Sequence, residues 1–261
     1  ATFTRNRAGD EGPAIRFGGG AKALLDQVTV TENTGSVATG GITIDDGALV
    51  HLKNSILAGN ASNSVDPGQD ANFEGVFVST SGSLVGGGLP GLLPLGDYGG
   101  LTMTMPPSVA SPAIDLGVGQ SLGSDQRGFN RLIGSALDAG AVEAQPSILV
   151  TSAADSGAGT LREALSGSLA PGARVRFDPA LFSENAPDIR LSSPIDLTDS
   201  EYLLIDASDL PANPVIDAGG TNIDQRKAFF VRSSSQVTLS GLDLTGGTGE
   251  GNGGGFAENA G

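Results

Sequence analysis

One stretch of alternating character returns at fixed spacing: Ala1-Thr2-Phe3-Thr4-Arg5-Asn6 is followed 27 residues on by Val28-Thr29-Val30-Thr31-Glu32-Asn33, and 27 further by Ser55-Ile56-Leu57-Ala58-Gly59-Asn60. The register holds between these anchors, because Ala14-Ile15-Arg16-Phe17 matches Gly41-Ile42-Thr43-Ile44 and Ala23-Leu24-Leu25-Asp26 matches Val50-His51-Leu52-Lys53. Period-two alternation within each segment marks strands, not helices. A fixed period of this size marks a repeat whose units cannot bury an apolar face alone and must stack on their neighbours. Three short strands per period with Gly and Asn corners describe one rung of a right-handed parallel β-helix. Asn6, Asn33 and Asn60 then lie one above another, placed to hydrogen-bond as an Asn ladder.

Composition suits a narrow solenoid. Of 261 residues 41 are Gly and 14 Pro, only 5% are aromatic and none is Trp. A core of stacked Ile, Val and Leu needs no wide aromatic interior. A net charge of −15 speaks against nucleic acid or an anionic membrane as partner, since both would be repelled. Without cysteine there is no disulfide framework, thiol catalysis or thiolate metal site. No apolar run reaches membrane-spanning length, so membrane insertion is not expected.

The segment Glu74 to Val85 alternates again, with Val76, Val78 and Leu84 expected to face inward. Gly86-Gly87-Gly88-Leu89-Pro90 through Pro106-Pro107 cannot form helix and reads as an ordered loop along the side of the solenoid. Next come Asp97-Tyr98-Gly99-Gly100, Ser111-Pro112-Ala113-Ile114-Asp115, Asp125-Gln126-Arg127-Gly128 and Gly140-Ala141-Val142-Glu143. In this order the four motifs resemble the closing segment of bacterial parallel β-helix repeat proteins of the choice-of-anchor Q type, a resemblance covering about residues 24–143. It implies an extracellular or surface β-helix that ends here.

Gln145-Pro146 breaks the ladder and divides the chain into 1–145, a C-terminal-type half with Gly/Pro-rich closing loops, and 146–261, an N-terminal-type half. The second half opens with Ile148-Leu149-Val150-Thr151-Ser152. A short helix near 160–167 follows in Leu161-Arg162-Glu163-Ala164-Leu165, with Thr160 as N-cap and Glu163 placed for a capping box. A strand followed by such a helix is similar to the opening of the same family's β-helices, where the resemblance implies that the helix plugs the barrel end. Strands are expected at 174–177, 188–191, 202–205, 215–217, 228–231 and 236–239, and Leu242-Asp243-Leu244-Thr245 with Gly255-Phe256-Ala257 restarts the 27-residue pattern.

The order is therefore inverted, a closing half before an opening half, and both outer ends are expected to be bare rungs. Bare rungs expose unpaired backbone groups over an open apolar core and template association. Continuing the register past Phe256 reaches a segment of the Ala1-Thr2-Phe3-Thr4 type after about seven further residues, so the second half of one copy and the first half of the next rebuild one β-helix. Such a heterologous contact does not close and propagates. The expected assembly residues are Ala1, Thr2, Phe3, Thr4, Ile15, Phe17, Leu242, Leu244, Phe256 and Ala257.

Polysaccharide lyases and hydrolases on β-helices require paired carboxylates. Asp45-Asp46, Asp196 with Asp199 and Asp206 with Asp209 are the candidates, and each is expected at a corner, where Asp is favoured for turn geometry alone. Asp125-Gln126-Arg127 and Asp224-Gln225-Arg226 read as carboxylate–guanidinium ties between loop and wall. His51, between inward Val50 and Leu52, should face solvent. The Gly246–Gly255 run lacks the Lys-Ser/Thr ending of a phosphate loop, and the Asn60-Ala61-Ser62 sequon is set aside for the ladder. The reading is thus an all-β, non-enzymatic extracellular or cell-surface structural protein, built from two partial solenoids and polymerising with itself head to tail. No cofactor, metal or catalytic residue is implied. A carbohydrate-binding or carbohydrate-cleaving β-helix acting on surface polysaccharide, and a stalk segment of a large adhesin, are the alternatives.

Overall fold

In a computed structural model the chain is nearly all parallel β, its coils stacked as a β-solenoid. The structure describes residues 1–8, 14–36, 39–63, 71–120, 123–167, 169–198, 200–219, 227–233 and 235–247. Two compact units are present, Ala1–Ala144 and Gln145–Gly261.

The first unit contains β1 (Thr2–Thr4), β2 (Ile15–Phe17), β3 (Lys22–Asp26), β4 (Thr29–Thr31), β5 (Thr34–Gly35), β6 (Ile42–Ile44), β7 (Leu49–Lys53), β8 (Ile56–Leu57), β9 (Ala61–Ser62), β10 (Phe73–Glu74) and β11 (Leu84–Val85). They stack in columns, β1-β4-β8-β11, β2-β6-β10, β3-β7 and β5-β9, every pair parallel. Thr2 pairs with Thr29 and Thr29 with Ile56, so the pairing reproduces the 27-residue repeat of the sequence. Inward positions supply the core of Val30, Ile42, Ile44, Val50, Leu52 and Leu57.

The corners explain how three-residue strands can turn so sharply. Gln27, Asn54 and Gly82 precede β4, β8 and β11 with φ of 56°, 47° and 63°, and Arg5, Glu32, Gly59 and Gly86 follow the strands of the same column with φ of 56°, 55°, 71° and 69°. A left-handed residue costs a side-chain-bearing position roughly 1–2 kcal/mol. Its return in every rung shows that column geometry, not residue preference, sets the conformation.

Residues 86–120 and 123–144 run across the outer face of the β1-β4-β8-β11 sheet as an irregular clasp. The Ala141 amide donates to Thr29 Oγ1 at 2.9 Å, the Val118 amide to Asn54 Oδ1 at 2.7 Å, and Thr2 Oγ1 to Gln126 Oε1 at 2.8 Å. Ala113 and Ala139 pack with Ile56 and Ala58 beneath it. Outward Thr29, Thr31 and Ile56 are therefore buried. The inward expectation fails at all three positions: Val76 and Val78 are 78% and 52% exposed with Phe77 between them packed on the core, and Leu84 pairs with outward Ile56 and packs beside it while Val85 takes the core. Alternation runs from Phe73, which packs on the core, so Phe77 turns inward and Val76 and Val78 outward; Gly75, at φ +96°, lies against β6, where a Cβ would be 2.2 Å from the Ile44 carbonyl oxygen.

The second unit contains β12 (Ser147–Val150), α1 (Leu161–Ala164), β13 (Arg174–Phe177), β14 (Ile189–Arg190), β15 (Ile195–Leu197), β16 (Leu203–Asp206), β17 (Val215–Asp217), β18 (Phe229–Val231), β19 (Val237–Ser240) and β20 (Asp243–Thr245). Its columns are β12-β13-β16-β19, β14-β17-β20 and β15-β18, again all parallel. Thr160 caps α1 by accepting the Glu163 amide at 3.2 Å, while the Glu163 carboxylate accepts from Gly159 instead of closing the reciprocal bond of a capping box. Leu161, Ala164 and Leu165 enter the core beside Val150 of the first column strand and Val175. The helix thus lies at the β12 end of this unit, as a plug would.

Candidate assembly interface

β1, β2 and β3 are edge strands, each paired on one side only among the described residues. Which backbone groups they leave open follows from the rungs behind them. Thr29 and Ile56 donate their amides back to the carbonyls of Ala1 and Val28, at 2.9 and 2.8 Å. The equivalent amide of Thr2, and that of Thr4 two residues on, therefore point away from β4 to the open side. Phe3, Ile15, Phe17, Ala23 and Leu25 are only half-buried there, although Val30, Ile42, Ile44, Val50 and Leu52 in the next rung are buried.

The Asn ladder has a direction. Asn6 Nδ2 and its backbone amide donate to Asn33 Oδ1 at 2.8 and 3.0 Å, and the Asn33 Nδ2 and amide donate to Asn60 Oδ1 at 2.8 and 3.1 Å. Asn60 repeats both bonds to Asn72 Oδ1, each at 2.8 Å. Asn72 was not legible as a rung member, because it follows Asn60 by 12 residues instead of 27. At the other end Asn6 is exposed, and its Oδ1 accepts no hydrogen bond among the described residues.

In the second unit β18, β19 and β20 end their columns among the described residues. Asp243 donates its amide to the Pro214 carbonyl and Thr245 accepts from the Ala218 amide, so the carbonyls of Leu242 and Leu244 face the open side. Leu244 is 37% exposed, whereas its inward partner Ile216 is fully buried. Gly241 and Gly246, both at φ 66°, flank β20 as Gln27 and Glu32 flank β4. β20 thus has the corner geometry of the β1 column. Phe256 and Ala257 lie outside the described residues, as do Asp224-Gln225-Arg226, Asp199 and Thr248 to Gly255.

A buried charge cluster fixes the clasp beside β1. Asp125 Oδ2 accepts Arg127 Nε and Nη2 at 2.9 and 2.7 Å, and Arg127 Nη2 also donates to the Glu143 carbonyl. The Asp-Gln-Arg motif so ties the clasp to itself, and it is Gln126 that reaches the wall, at Thr2. The Glu143 carboxylate accepts the amides of Ile133 and Asp138, and the Asp138 carboxylate those of Asp115 and Ala144. Burial pushes Glu143 up to about 7 and raises Asp138, while it lowers Arg127 and Arg131. Sequence reasoning missed Arg131, Asp138 and Glu143 as one cluster, since no spacing rule links irregular loop residues.

Most of the described acidic candidates are held by arginine partners. Asp45 accepts Arg16 Nε at 3.2 Å, Asp196 pairs with Arg232 at 3.0 Å, Asp206 with Arg174, and Asp209 with Arg176 at 3.2 Å. Asp196 lies within β15 and not at a corner. Asp46 is exposed. His51 faces solvent as expected, its Nδ1 2.9 Å from Ser79 Oγ. Asn60 of the sequon is buried in the ladder. Among the described residues no group of three His, Cys, Asp or Glu side chains could hold a metal ion, and no helix is long and apolar enough to cross a membrane. Comparison of the chain with protein-family models, curated proteins and solved structures gave no match.

Proposed function

We propose that this chain is a non-enzymatic structural unit of an extracellular bacterial fibre, its solenoid rungs continued from copy to copy in head-to-tail order. The observation that carries this reading is the pair of unfinished edges. Among the described residues one presents half-buried Phe3 with the Thr2 and Thr4 amides unpaired, the other half-exposed Leu244 with the Leu242 and Leu244 carbonyls unpaired, and β20 is flanked by left-handed corners at the same places as β4 and β8. Covering an apolar side chain of this size is worth about 1.5–3 kcal/mol, and each added backbone bond about 0.5–1.5 kcal/mol. Several of each are needed to exceed an association cost of about 4–15 kcal/mol, so a multi-strand rung contact, not a single strand, is the stable joint. The extracellular setting rests on the resemblance of the closing motifs to choice-of-anchor Q type surface proteins, with which an acidic composition is compatible.

Electron microscopy and sedimentation of the purified chain test the proposal. Rods many times the length of one molecule, shortened or abolished by Leu244→Arg, are expected. A monomeric protein at every concentration up to the solubility limit overturns it.

A further inference from the structure

Resting on that reading, the two edges also assign a register to the joint. We propose that β1 of one copy adds to β20 of a second copy as the next parallel strand, Thr2 opposite Asp243, Phe3 opposite Leu244 and Thr4 opposite Thr245.

Three independent features converge on this pairing. Along the chain, Val237-Thr238-Leu239-Ser240-Gly241-Leu242-Asp243-Leu244-Thr245-Gly246-Gly247 matches Val50-His51-Leu52-Lys53-Asn54-Ser55-Ile56-Leu57-Ala58-Gly59-Asn60 in strands, corners and inward positions. Since β8 is in the column of β1, β20 is the strand type that β1 is built to follow. Next, the left-handed corner residues coincide, Gly241 with Asn54 and Gly246 with Arg5, Glu32 and Gly59, so the two backbones turn at the same places.

The hydrogen-bonding groups are complementary as well. The Thr2 and Thr4 amides meet the Leu242 and Leu244 carbonyls, as Ile56 and Ala58 meet the Val28 and Val30 carbonyls within the first unit at 2.8 and 3.3 Å. Gly247 occupies the ladder position, so its amide reaches the Asn6 Oδ1 of the neighbouring copy, as the Asn6 amide reaches Asn33 Oδ1. Glycine adds no second amide there. The joint bond is thereby weaker than an internal ladder step, and breakage of a fibre falls at the joints.

The chain has no cysteine, so introduced pairs report the register without background. Adjacent parallel strands lie about 4.8 Å apart, within disulfide reach, whereas a two-residue shift adds about 6.6 Å along the strand and puts the pair beyond it. Thr4→Cys with Thr245→Cys in one chain should give a ladder of covalent multimers on mild oxidation, and the two single variants mixed should give dimers only. Thr4→Cys with Asp243→Cys should stay monomeric in denaturing gels. Hydrogen exchange on the unsubstituted protein gives a second measure: the Thr2 and Thr4 amides should exchange at least tenfold more slowly in the polymer than in the dispersed chain. Fibres that form without Thr4–Thr245 linkage and without that protection overturn the register while leaving head-to-tail polymerisation standing. Absence of fibres removes both.

Discussion

Replacing Asn33 by alanine should destabilise the first unit by about 2–5 kcal/mol. The Asn33 side chain is buried and takes part in five hydrogen bonds: Oδ1 accepts the Asn6 amide and Asn6 Nδ2, and Nδ2 donates to Asn60 Oδ1, the Phe3 carbonyl and the Thr31 carbonyl. At about 0.5–1.5 kcal/mol for each bond, and more for a buried group left unpaired, even partial compensation by water leaves a loss of that size. Asn6→Ala is the internal control. Asn6 is exposed, and its side chain gives one ladder bond, so the loss should be about 0.5–1 kcal/mol. Because the chain forms two compact units, the signal should come from the first alone. Tyr98 lies in the first unit and Tyr202 in the second, which makes urea titration of tyrosine fluorescence in a Tyr202→Phe background a suitable assay. Near-equal losses for Asn33→Ala and Asn6→Ala would refute the ladder as an energetic element and leave it a geometric coincidence of corner residues.

The two units should differ in their response to pH between 5 and 8. Burial pushes the Glu143 carboxyl up to about 7 in the folded first unit, so its contribution is fully present below its unfolded pKa of about 4.3 and is lost as pH rises through 7; thermal melts at pH 5 and 8 should show the first unit firmer at pH 5. In the second unit Asp155, Asp206 and Asp217 are held below the usual carboxylate range by hydrogen bonds and arginine partners, so stability present near neutrality is lost as pH falls below about 4; a melt that improves on such acidification contradicts this. Asp206→Ala strands the buried Arg174 guanidinium and should cost about 3–5 kcal/mol, whereas Arg174→Met with Asp206→Leu should recover most of the loss in chemical denaturation. Thr160→Ala removes the cap of α1 and should lower second-unit stability by about 1 kcal/mol, read from exchange of the Glu163 amide.

The first unit was legible because its corners have constant length. Equal spacing puts Thr2, Thr29 and Ile56 in one column, and alternation then decides which side chains turn inward. The second unit shows what variable corners conceal. Arg174 follows Ser147 by 27 residues, Leu204 follows Arg174 by 30, and Val237 follows Leu203 by 34, so no single offset aligns them. β15 was missed for a related reason: Asp196 at its centre looks like a turn residue, yet it faces outward between buried Ile195 and Leu197 and is held by Arg232. The charge cluster of the clasp was beyond periodic reasoning altogether. Arg131, Asp138 and Glu143 meet through loop geometry, and only the Asp125–Arg127 pair, two residues apart, left a local trace.

The direction of the ladder also bears on polarity. Every strand pair of both units is parallel, and each Asn rung donates its amides forward to the next. Two β1 edges meeting face to face would be related by a two-fold axis, which makes the strands antiparallel, unlike the named strand pairs of either unit. Asn6 Oδ1 would then lie opposite the far end of the partner strand, without the donor that the ladder supplies. A β1 edge against a β20 edge keeps the parallel direction, gives Asn6 Oδ1 the Gly247 amide as donor, and brings the corners into coincidence. Thr4→Cys alone should therefore remain monomeric after oxidation at any protein concentration that yields fibres. A disulfide-linked dimer from that single variant would place like edges together and refute the head-to-tail order.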